Sequence, residues 1–233
     1  MQILRFDVLD STNAYAKRNC SLLADQTVII ARQQTAGRGR LDRKWISQEG
    51  GLYFSLLLKP QKTDFLPNLT QLMALCVCGS LRGLGAESHL KWPNDVFVNS
   101  QKICGILSEA LFTKNGFVGL VLGVGVNIAQ QDLDHVGQPA TSLTRLHIQT
   151  NEDALLQDIL NRFFQSYEKL LQYGFETIRG TYLQFFPYIG KTVQIKNAAQ
   201  EVTGAVQTIS PEGKLVLKTP EGFTEISIGD MML

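Results

Sequence analysis

The sequence predicts an α+β fold in which a large domain is followed by a small C-terminal β-barrel. Over residues 1–186, apolar runs typical of buried strands alternate with segments of helical periodicity. After Pro187 the pattern changes to short strands separated by Gly, Pro and Asn, which is typical of a small antiparallel barrel. The chain has 233 residues, 44% of them hydrophobic, which is enough to bury a substantial core. We therefore predict two domains, at residues 1–186 and 187–233.

The first elements follow from local composition. Ser11 and Thr12 precede the segment AYAKRN and are typical of a helix N-cap, so a short helix is expected there. Compact apolar runs at residues 27–32 and 52–58 predict two buried strands. The polar segment between these runs has neither a strand nor a helix period. A loop of that length in a compact domain is usually functional or mobile.

The middle of the chain predicts a helix, a turn and a hairpin. Residues 66–84 carry apolar side chains at helical spacing. Strands at residues 89–92 and 96–98 flank a Pro-Asn-Asp turn. Two apolar runs at residues 103–112 and 117–128 surround an Asn-Gly pair, which is a strong hairpin signal.

The last third of the chain combines a helix with the predicted barrel. Residues 151–173 present one apolar face at helical spacing, and Gly174 stands where a C-cap belongs. The short strands expected after Pro187 are residues 193–197, 201–209, 214–219 and 223–228. A unit of this size is marginally stable alone, so we expect it to pack against its neighbour.

Charge and cysteine content exclude several classes of protein. Lys and Arg number 22 and Asp and Glu 21, so the net charge of +1 does not favour a nucleic-acid-binding protein. The N-terminus is charged before any apolar run of signal-peptide length, and no stretch approaches the roughly 20 apolar residues of a membrane span. The four cysteines lack metal-ligand spacing and are expected to be reduced thiols. We therefore expect a cytoplasmic protein without a membrane partner.

The first candidate site is the motif GRGR at residues 37–40, which is followed by Arg43 and Trp45. Glycines allow a ligand to approach the backbone closely, and arginines offer forked donors that suit phosphate or carboxylate. The motif is neither a Walker loop nor a complete dinucleotide fingerprint, because the required Lys or third Gly is missing. The composition favours an anion-binding loop, and a solvated basic loop is the alternative.

Three further segments could contribute to a site. KWPND at residues 91–95 places a lysine beside a Trp-Pro corner, although an ordinary turn between strands is the better interpretation of these five residues alone. GVGVN at residues 123–127 indicates a strand with a close backbone neighbour or a ligand. Lys102 begins another strand, where a solvated turn residue is the simpler interpretation.

Taken in order, these blocks resemble the biotin–protein ligase family. The matching blocks are STN at residues 11–13, QTAGRGR at 34–40, KWPND at 91–95, KICG at 102–105 and GVGVN at 123–127. The resemblance runs from about residue 5 to the C-terminus. It implies a mixed β-sheet with packed helices, the catalytic fold shared with lipoate ligases. It also implies that the C-terminal barrel is SH3-like.

The resemblance further implies which residues form the site. The implied biotin-binding residues are Ser11, Thr12, Asn13, Gln34, Gly37, Arg38, Gly39, Arg40 and Lys91. The implied residues for ATP and the adenylate are Arg40, Arg43, Trp45, Lys102 and Asn127. Lys91 would lie at the biotin carboxylate, close to the α-phosphate, and Lys91 and Arg40 are the implied catalytic residues.

The implied activity is ATP-dependent attachment of biotin to a lysine of a biotin carboxyl carrier protein, the acetyl-CoA carboxylase subunit. Biotin and ATP are the substrates, and Mg²⁺ is expected to be held mainly by the ATP phosphates. Two anions must meet in the first step, so Lys91, Arg40 and Arg43 would offset their repulsion. A homodimer is compatible with the sequence. The blocks begin at Ser11, so no N-terminal helix-turn-helix domain and no binding to DNA are expected.

Several alternatives stay open. A lipoate or octanoate ligase would share the fold and the adenylation chemistry, although GRGR and KWPND favour biotin. A protein that senses biotin or a nucleotide without catalysis would need the same binding residues, and only an assay excludes it. The hypothesis of a DNA-binding repressor is weaker because the net charge is near zero. The hypothesis of a nicotinamide dehydrogenase is weaker because both GxG segments lack the third glycine.

Overall fold

A computed structural model describes residues 1–130, 133, 137–197 and 201–232. The larger of its two sheets has seven strands in the order β1-β2-β3-β7-β6-β5-β4. These strands are β1 (Gln2–Leu9), β2 (Thr27–Gln34), β3 (Gly51–Leu58), β4 (Ser88–Lys91), β5 (Asp95–Val98), β6 (Gln101–Thr113) and β7 (Gly116–Asn127). The β1–β2 pair is parallel and the other neighbours are antiparallel, so the sheet is mixed.

Helices cover both faces of this sheet. They are α1 (Thr12–Arg18), α2 (Leu66–Gly83), α3 (Glu152–Tyr173) and α4 (Glu176–Gln184). Successive residues of a strand point to opposite faces, and β3 shows this clearly. Phe54 and Leu56 contribute to the core shared with α2 and α3, whereas Leu57 packs with Ala16 of α1. The α1 face carries a smaller apolar cluster, which leaves room there for a polar site.

The C-terminal sheet is antiparallel and has the order β11-β10-β9-β8-β12. Its strands are β8 (Thr192–Lys196), β9 (Glu201–Ile209), β10 (Leu215–Thr219), β11 (Gly222–Ile226) and β12 (Asp230–Met232). Its buried residues join the same apolar cluster as the main core. Trp92 also donates from Nε1 to the carbonyl of Gly213 at 3.1 Å. The small sheet is therefore packed firmly against the large one.

The structure confirms the predicted α+β class, the mixed sheet with packed helices and the C-terminal antiparallel unit. Ser11 caps α1, its hydroxyl accepting from the backbone N–H of Ala14, and Gly174 follows the last residue of α3. The Asn115-Gly116 hairpin forms between β6 and β7. Sequence patterns missed the strands β1 and β12 and the helix α4.

Candidate active site

A cavity opens on the α1 face of the large sheet. Its floor is formed by β6 and β7, its polar end by the start of α1, and its roof by the segment that contains GRGR. The predicted site residues that line it are Ser11, Thr12, Asn13, Gln34, Arg38, Gly39, Arg40, Arg43, Trp45 and Lys102. The structure thus brings together side chains from three distant parts of the sequence, at residues 11–13, 34–45 and 102.

The floor of the cavity depends on three glycines. A Cβ atom at Gly123 would lie 2.2 Å from Oδ1 of Asn13, so only glycine admits that side chain. A Cβ at Gly125 would lie 2.3 Å from Nε1 of Trp45, and one at Gly105 would lie 3.1 Å from the same indole ring. Gly105 and Gly125 are register partners on β6 and β7. The indole of Trp45 therefore lies against bare backbone, as the alternating glycines had indicated.

The polar end of the cavity is a hydrogen-bonded group around Thr12 and Gln34. The backbone N–H of Thr12 donates to Oε1 of Gln34 at 2.8 Å. Nε2 of Gln34 donates to the hydroxyl of Ser47 at 2.8 Å, which fixes the orientation of the amide. Because Gln34 ends β2 and Thr12 begins α1, this bond joins the two elements at the cavity wall.

An ion pair anchors the start of α1 beside this polar end. The guanidinium of Arg18 pairs with the carboxylate of Asp10, and Asp10 also accepts from the backbone N–H of Ser11 at 2.8 Å. The Arg18 guanidinium is the main reason that the pKa of Asp10 is lowered to about 2. The carboxylate of Asp10 therefore stays ionised and keeps Ser11 in its capping position.

The opposite end of the cavity is cationic. Nη1 of Arg40 donates to Oδ1 of Asn94 at 3.0 Å and to the carbonyl of Gly229 at 3.3 Å. Asp230 of β12 forms ion pairs with both Arg40 and Arg43. The C-terminal sheet therefore supplies a wall of the site and holds two arginines toward it.

Lys102 lies between the two ends. Its Nζ is 2.8 Å from Oδ1 of Asp95 and 5.5 Å from the centroid of the Trp45 ring. The side chain is 13% exposed, so it is one cation held accurately within the cavity. Nε1 of Trp45 is buried against Gly125 and has no hydrogen-bond partner among the described residues.

Lys91, Asn127 and Gly37 are not among the described residues that line the cavity. Lys91 borders it, because Lys91 is the register partner of Asp95 and so lies on the same face of the sheet, with its Nζ 4.8 Å from the centroid of the Phe97 ring. Burial lowers the pKa of Lys91, Asp95 and Asp230 oppose this shift, and Lys102 and Arg43 add to it. Asn127 lines a smaller adjoining pocket with Trp45 and Lys102, and its Nδ2 donates to the carbonyl of Thr141 at 3.0 Å.

Gly37 packs inside the loop rather than facing the cavity. A Cβ at Gly37 would lie 2.5 Å from the carbonyl oxygen of Trp45 and 2.6 Å from the hydroxyl of Ser47. The carbonyl of Gly37 accepts from the backbone N–H of Trp45 at 2.9 Å. The first glycine of the motif therefore lets the two arms of the loop approach each other.

The sequence-based assignment omitted Asn94, Asp95 and Asp230, which all line the cavity. Asn94 and Asp95 belong to the KWPND block, where the polar turn residues were the available signal. Asp230 lies in a three-residue strand without a recognisable pattern, so nothing in the sequence singled it out.

No group of three or more His, Cys, Asp or Glu residues that could hold a metal ion occurs within the described part of the chain. None of the helices there is both long enough and apolar enough to cross a membrane.

Comparison with protein families gives two matches. Residues 5–127 match the biotin/lipoate A/B protein ligase family, and residues 188–233 match the biotin protein ligase C-terminal domain. The first match contains the strands and loops that form most of the cavity. The second begins four residues before β8 and contains all strands of the C-terminal sheet.

Similar proteins carry related names. The bifunctional ligase/repressor BirA of Bacillus spizizenii is 34% identical over 97% of this chain and 72% of its own length. The biotin–[acetyl-CoA-carboxylase] ligase of Paracoccus denitrificans is 32% identical over 91% of this chain and 92% of its own.

The fold is also similar to that of solved structures. A biotin protein ligase from Aquifex aeolicus, in complex with biotin and ATP, superimposes with a TM-score of 0.88 at 31% identity. The likeness covers 99% of this chain and 97% of that one. Sequence, fold and cavity agree, and the chain belongs to the biotin/lipoate A/B protein ligase family, among its biotin protein ligases.

Proposed function

We propose that this chain activates biotin with ATP and transfers it to a lysine of an acceptor protein. The observation that carries the proposal is a single cavity with a neutral polar end at Thr12 and Gln34 and a cationic end at Arg40 and Arg43. Biotin has a ureido ring at one end and a carboxylate at the other, and the carboxylate must meet a phosphate. The neutral polar end of the cavity therefore suits the ureido ring, and the cationic end suits the carboxylate and the phosphate.

The polar end suits the ureido ring. Ser11, Thr12 and Gln34 offer hydrogen-bond donors and acceptors to a ligand group that a lipoyl chain lacks. A site built for such bonds rejects analogues without them. We therefore assign biotin rather than lipoate or octanoate as the substrate, with Asn13, Arg38 and Gly39 forming the surrounding wall.

In the first step, the carboxylate of biotin attacks the α-phosphorus of ATP, which yields biotinyl-5′-adenylate and pyrophosphate. Positioned cations lower the repulsion between these anions and stabilise the charge that develops in the transition state. Arg40, Arg43 and Lys102 are placed to do so, because all three line the cavity. Mg²⁺ held mainly by the phosphates would neutralise further charge, and Asp95 and Asp230 are the carboxylates nearest to that end.

Two lysines are placed to meet the reacting carboxylate. Lys102 lines the cavity, and Lys91 borders it as the register partner of Asp95, with its Nζ over Phe97. The role of Lys91 at the biotin carboxylate stays a prediction, and Lys102 is placed to assist it from the nucleotide side. Trp45 would cover the bound ligand. Asn127 would lie on the nucleotide side, where it lines the smaller adjoining pocket.

In the second step, an acceptor lysine amine attacks the mixed anhydride and AMP leaves, so no protein nucleophile is required. The acceptor that we propose is the biotin carboxyl carrier protein of acetyl-CoA carboxylase, in line with the name of the Paracoccus denitrificans relative. We place the reaction in the cytoplasm. A homodimer and the absence of DNA binding stay predictions.

Exchange of labelled pyrophosphate into ATP tests the proposal, because it reports adenylate formation alone. We expect exchange that requires biotin and Mg²⁺ and is absent with lipoate. Equal exchange with lipoate would move the chain to the lipoate ligases. Tight biotin binding without exchange would indicate a sensor. Transfer to a purified carrier domain then tests the second step.

A further inference from the structure

A chain of hydrogen bonds runs from the partly exposed carboxylate of Glu109 on β6 to the buried polar end of the cavity. The carboxylate of Glu109 accepts from Nδ2 of Asn13 at 2.7 Å and from Nζ of Lys17 at 2.6 Å. Ser55 lies next in the chain, with its hydroxyl 2.6 Å from Oδ1 of Asn13 and 2.7 Å from the hydroxyl of Thr12. Ser55 is fully buried and Asn13 is 6% exposed, so water does not compete for these bonds.

Glu109 and the backbone carbonyl of Leu107 set the direction of the first link. An ionised carboxylate and a carbonyl can only accept hydrogen bonds, so both face the NH₂ group of the Asn13 amide, Glu109 at 2.7 Å and Leu107 at 3.3 Å. The amide oxygen of Asn13 therefore faces Ser55. The wall at Gly123, where a Cβ would lie 2.2 Å from Oδ1 of Asn13, leaves the amide no space to move away.

The next links follow from counting hydrogens. The hydroxyl of Ser55 has one hydrogen, and the oxygen of Asn13 can only accept, so that hydrogen belongs to Asn13. The 2.7 Å contact between the hydroxyls of Ser55 and Thr12 must then use the hydrogen of Thr12. The other near acceptor of Thr12 is Oε1 of Gln34 at 3.2 Å, which also lies within the protein. In either case Thr12 presents a lone pair, and not a hydrogen, to the cavity.

The chain therefore fixes which groups of the cavity accept and which donate. Thr12 and the oxygen of Gln34 are acceptors, and the hydroxyl of Ser11 donates to no protein group in the described part of the chain. A cyclic urea has the complementary pattern, since its two N–H groups donate and its carbonyl accepts.

Assuming the proposed biotin-ligase function, we infer that Glu109 is a specificity-determining residue for biotin. Glu109 acts at a distance. It orients the amide of Asn13, and this orientation fixes the direction in which the hydroxyls of Ser55 and Thr12 donate. Glu109 is thus a positioning residue and does not touch the reacting atoms.

The test uses Glu109→Gln in the full chain. The glutamine amide can accept or donate toward Asn13, so the direction of the chain is then held only by the longer bond to the carbonyl of Leu107, while size and shape are preserved. We expect the KM for biotin in pyrophosphate exchange to rise about ten-fold, the effect of one lost buried hydrogen bond. The KM for ATP and kcat should stay within about two-fold. Glu225→Gln, in an exposed ion pair with Lys214, is the matched control and should change neither KM.

A second readout separates specificity from loss of structure. In the two cyclic carbamate analogues of biotin, one ring N–H is replaced by oxygen, which a lone pair on Thr12 repels. Discrimination of the original protein against at least one of them should shrink several-fold in Glu109→Gln, because Thr12 is then free to donate. A variant that only unfolds partly would lose both ligands in proportion.

Ser55→Ala interrupts the same chain of hydrogen bonds at its centre. It serves as the test variant in place of Glu109→Gln when the latter does not fold. Unchanged biotin KM and unchanged discrimination in a folded variant would overturn the role of Glu109. Absence of biotin-dependent exchange in the original protein would instead overturn the proposed function, so the two failures are distinguishable.

Discussion

The carboxylate of Asp230 lies 3.5 Å from the guanidinium of Arg40, and it pairs with Arg43 as well. Arg40 and Asp230 are each only 21% exposed, so solvent screens their interaction incompletely. This contact joins the short strand β12 to the loop that roofs the cavity. The C-terminal sheet is therefore part of the cationic end of the site.

Asp230→Asn should raise the KM for ATP about three- to ten-fold and leave the KM for biotin unchanged. The loss of the charge partner would let both arginines swing away from the phosphates, whereas Thr12 and Gln34 are untouched. Steady-state pyrophosphate exchange measures both constants. Asp158→Asn, which removes an exposed ion pair with Arg162 on α3, is the control. Equal effects on both substrates would contradict the proposed division of the site.

Lys102→Ala should slow adenylate formation about 100-fold or more, a loss comparable to that of one positioned donor to a transition-state anion. Lys91→Ala should slow this step to a similar extent, because its ammonium borders the cavity beside Asp95. Single-turnover formation of the adenylate compares the two variants, and thermal unfolding shows whether each retains its fold. An unchanged rate in a folded Lys91→Ala would contradict the role implied for Lys91 by the sequence.

Trypsin should cleave the GRGR segment more slowly when biotin and ATP are present. Arg38, Arg40, Arg43 and Lys44 lie close together, and Asp230 offsets only part of their charge. A bound phosphate would draw these side chains inward, and ordering the segment would consume part of the binding free energy. Mass spectrometry of the fragments locates the cuts. Equal rates with and without ligands would mean that the segment does not close.

Acidification should destabilise the protein through His89. Burial lowers the pKa of His89, and the charges of Lys191 and Arg82 lower it further. The unfolded chain therefore takes up a proton near the ordinary value of about 6.5, before the folded protein does. The stabilising contribution is complete above that value and is lost as the pH falls toward the pKa of the folded state.

The measurement is the melting temperature at about pH 7.5 and about pH 5.5 for the original protein and His89→Gln. The original protein should lose more stability over this interval than the variant. His89→Gln keeps a polar group near the hydroxyl of Tyr188, which lies 3.3 Å from Nε2 of His89. An equal fall in melting temperature for the original protein and for His89→Gln would show that other groups cause the acid sensitivity.

The periodic elements of this fold were predictable, and the aperiodic ones were not. The helices α2 and α3 and the hairpin of β6 and β7 have long apolar patterns and clear end signals. The edge strand β1 mixes charged and apolar residues and is largely exposed, so it lacks the pattern of a buried strand. In α4, Gly180 interrupts a weak helical pattern.

Site residues that belong to a sequence motif were predictable. Site residues that reach the cavity only through the folding of the chain were not. The Gly-Arg composition of the loop and the alternating glycines of β7 both indicated close contact with a ligand. The proximity of Lys91 and Lys102 to Asp95 depends on how β4, β5 and β6 pair, which no local pattern contains. Asp230 reaches the cavity only because β12 pairs with β8.

The two ends of the cavity also differ in the sequence separation of the residues that are hydrogen-bonded there. Thr12 and Gln34 are 22 residues apart, whereas Arg40 and Gly229 are 189 apart. Closing the longer loop costs more chain entropy, and a contact between a small terminal sheet and a surface loop opens at lower free energy than the core. A molecule whose terminal sheet has frayed would still hold the bicyclic ring of the vitamin but could not activate it. Heating should therefore produce a sequestering form, in which turnover has ceased at temperatures where biotin remains bound.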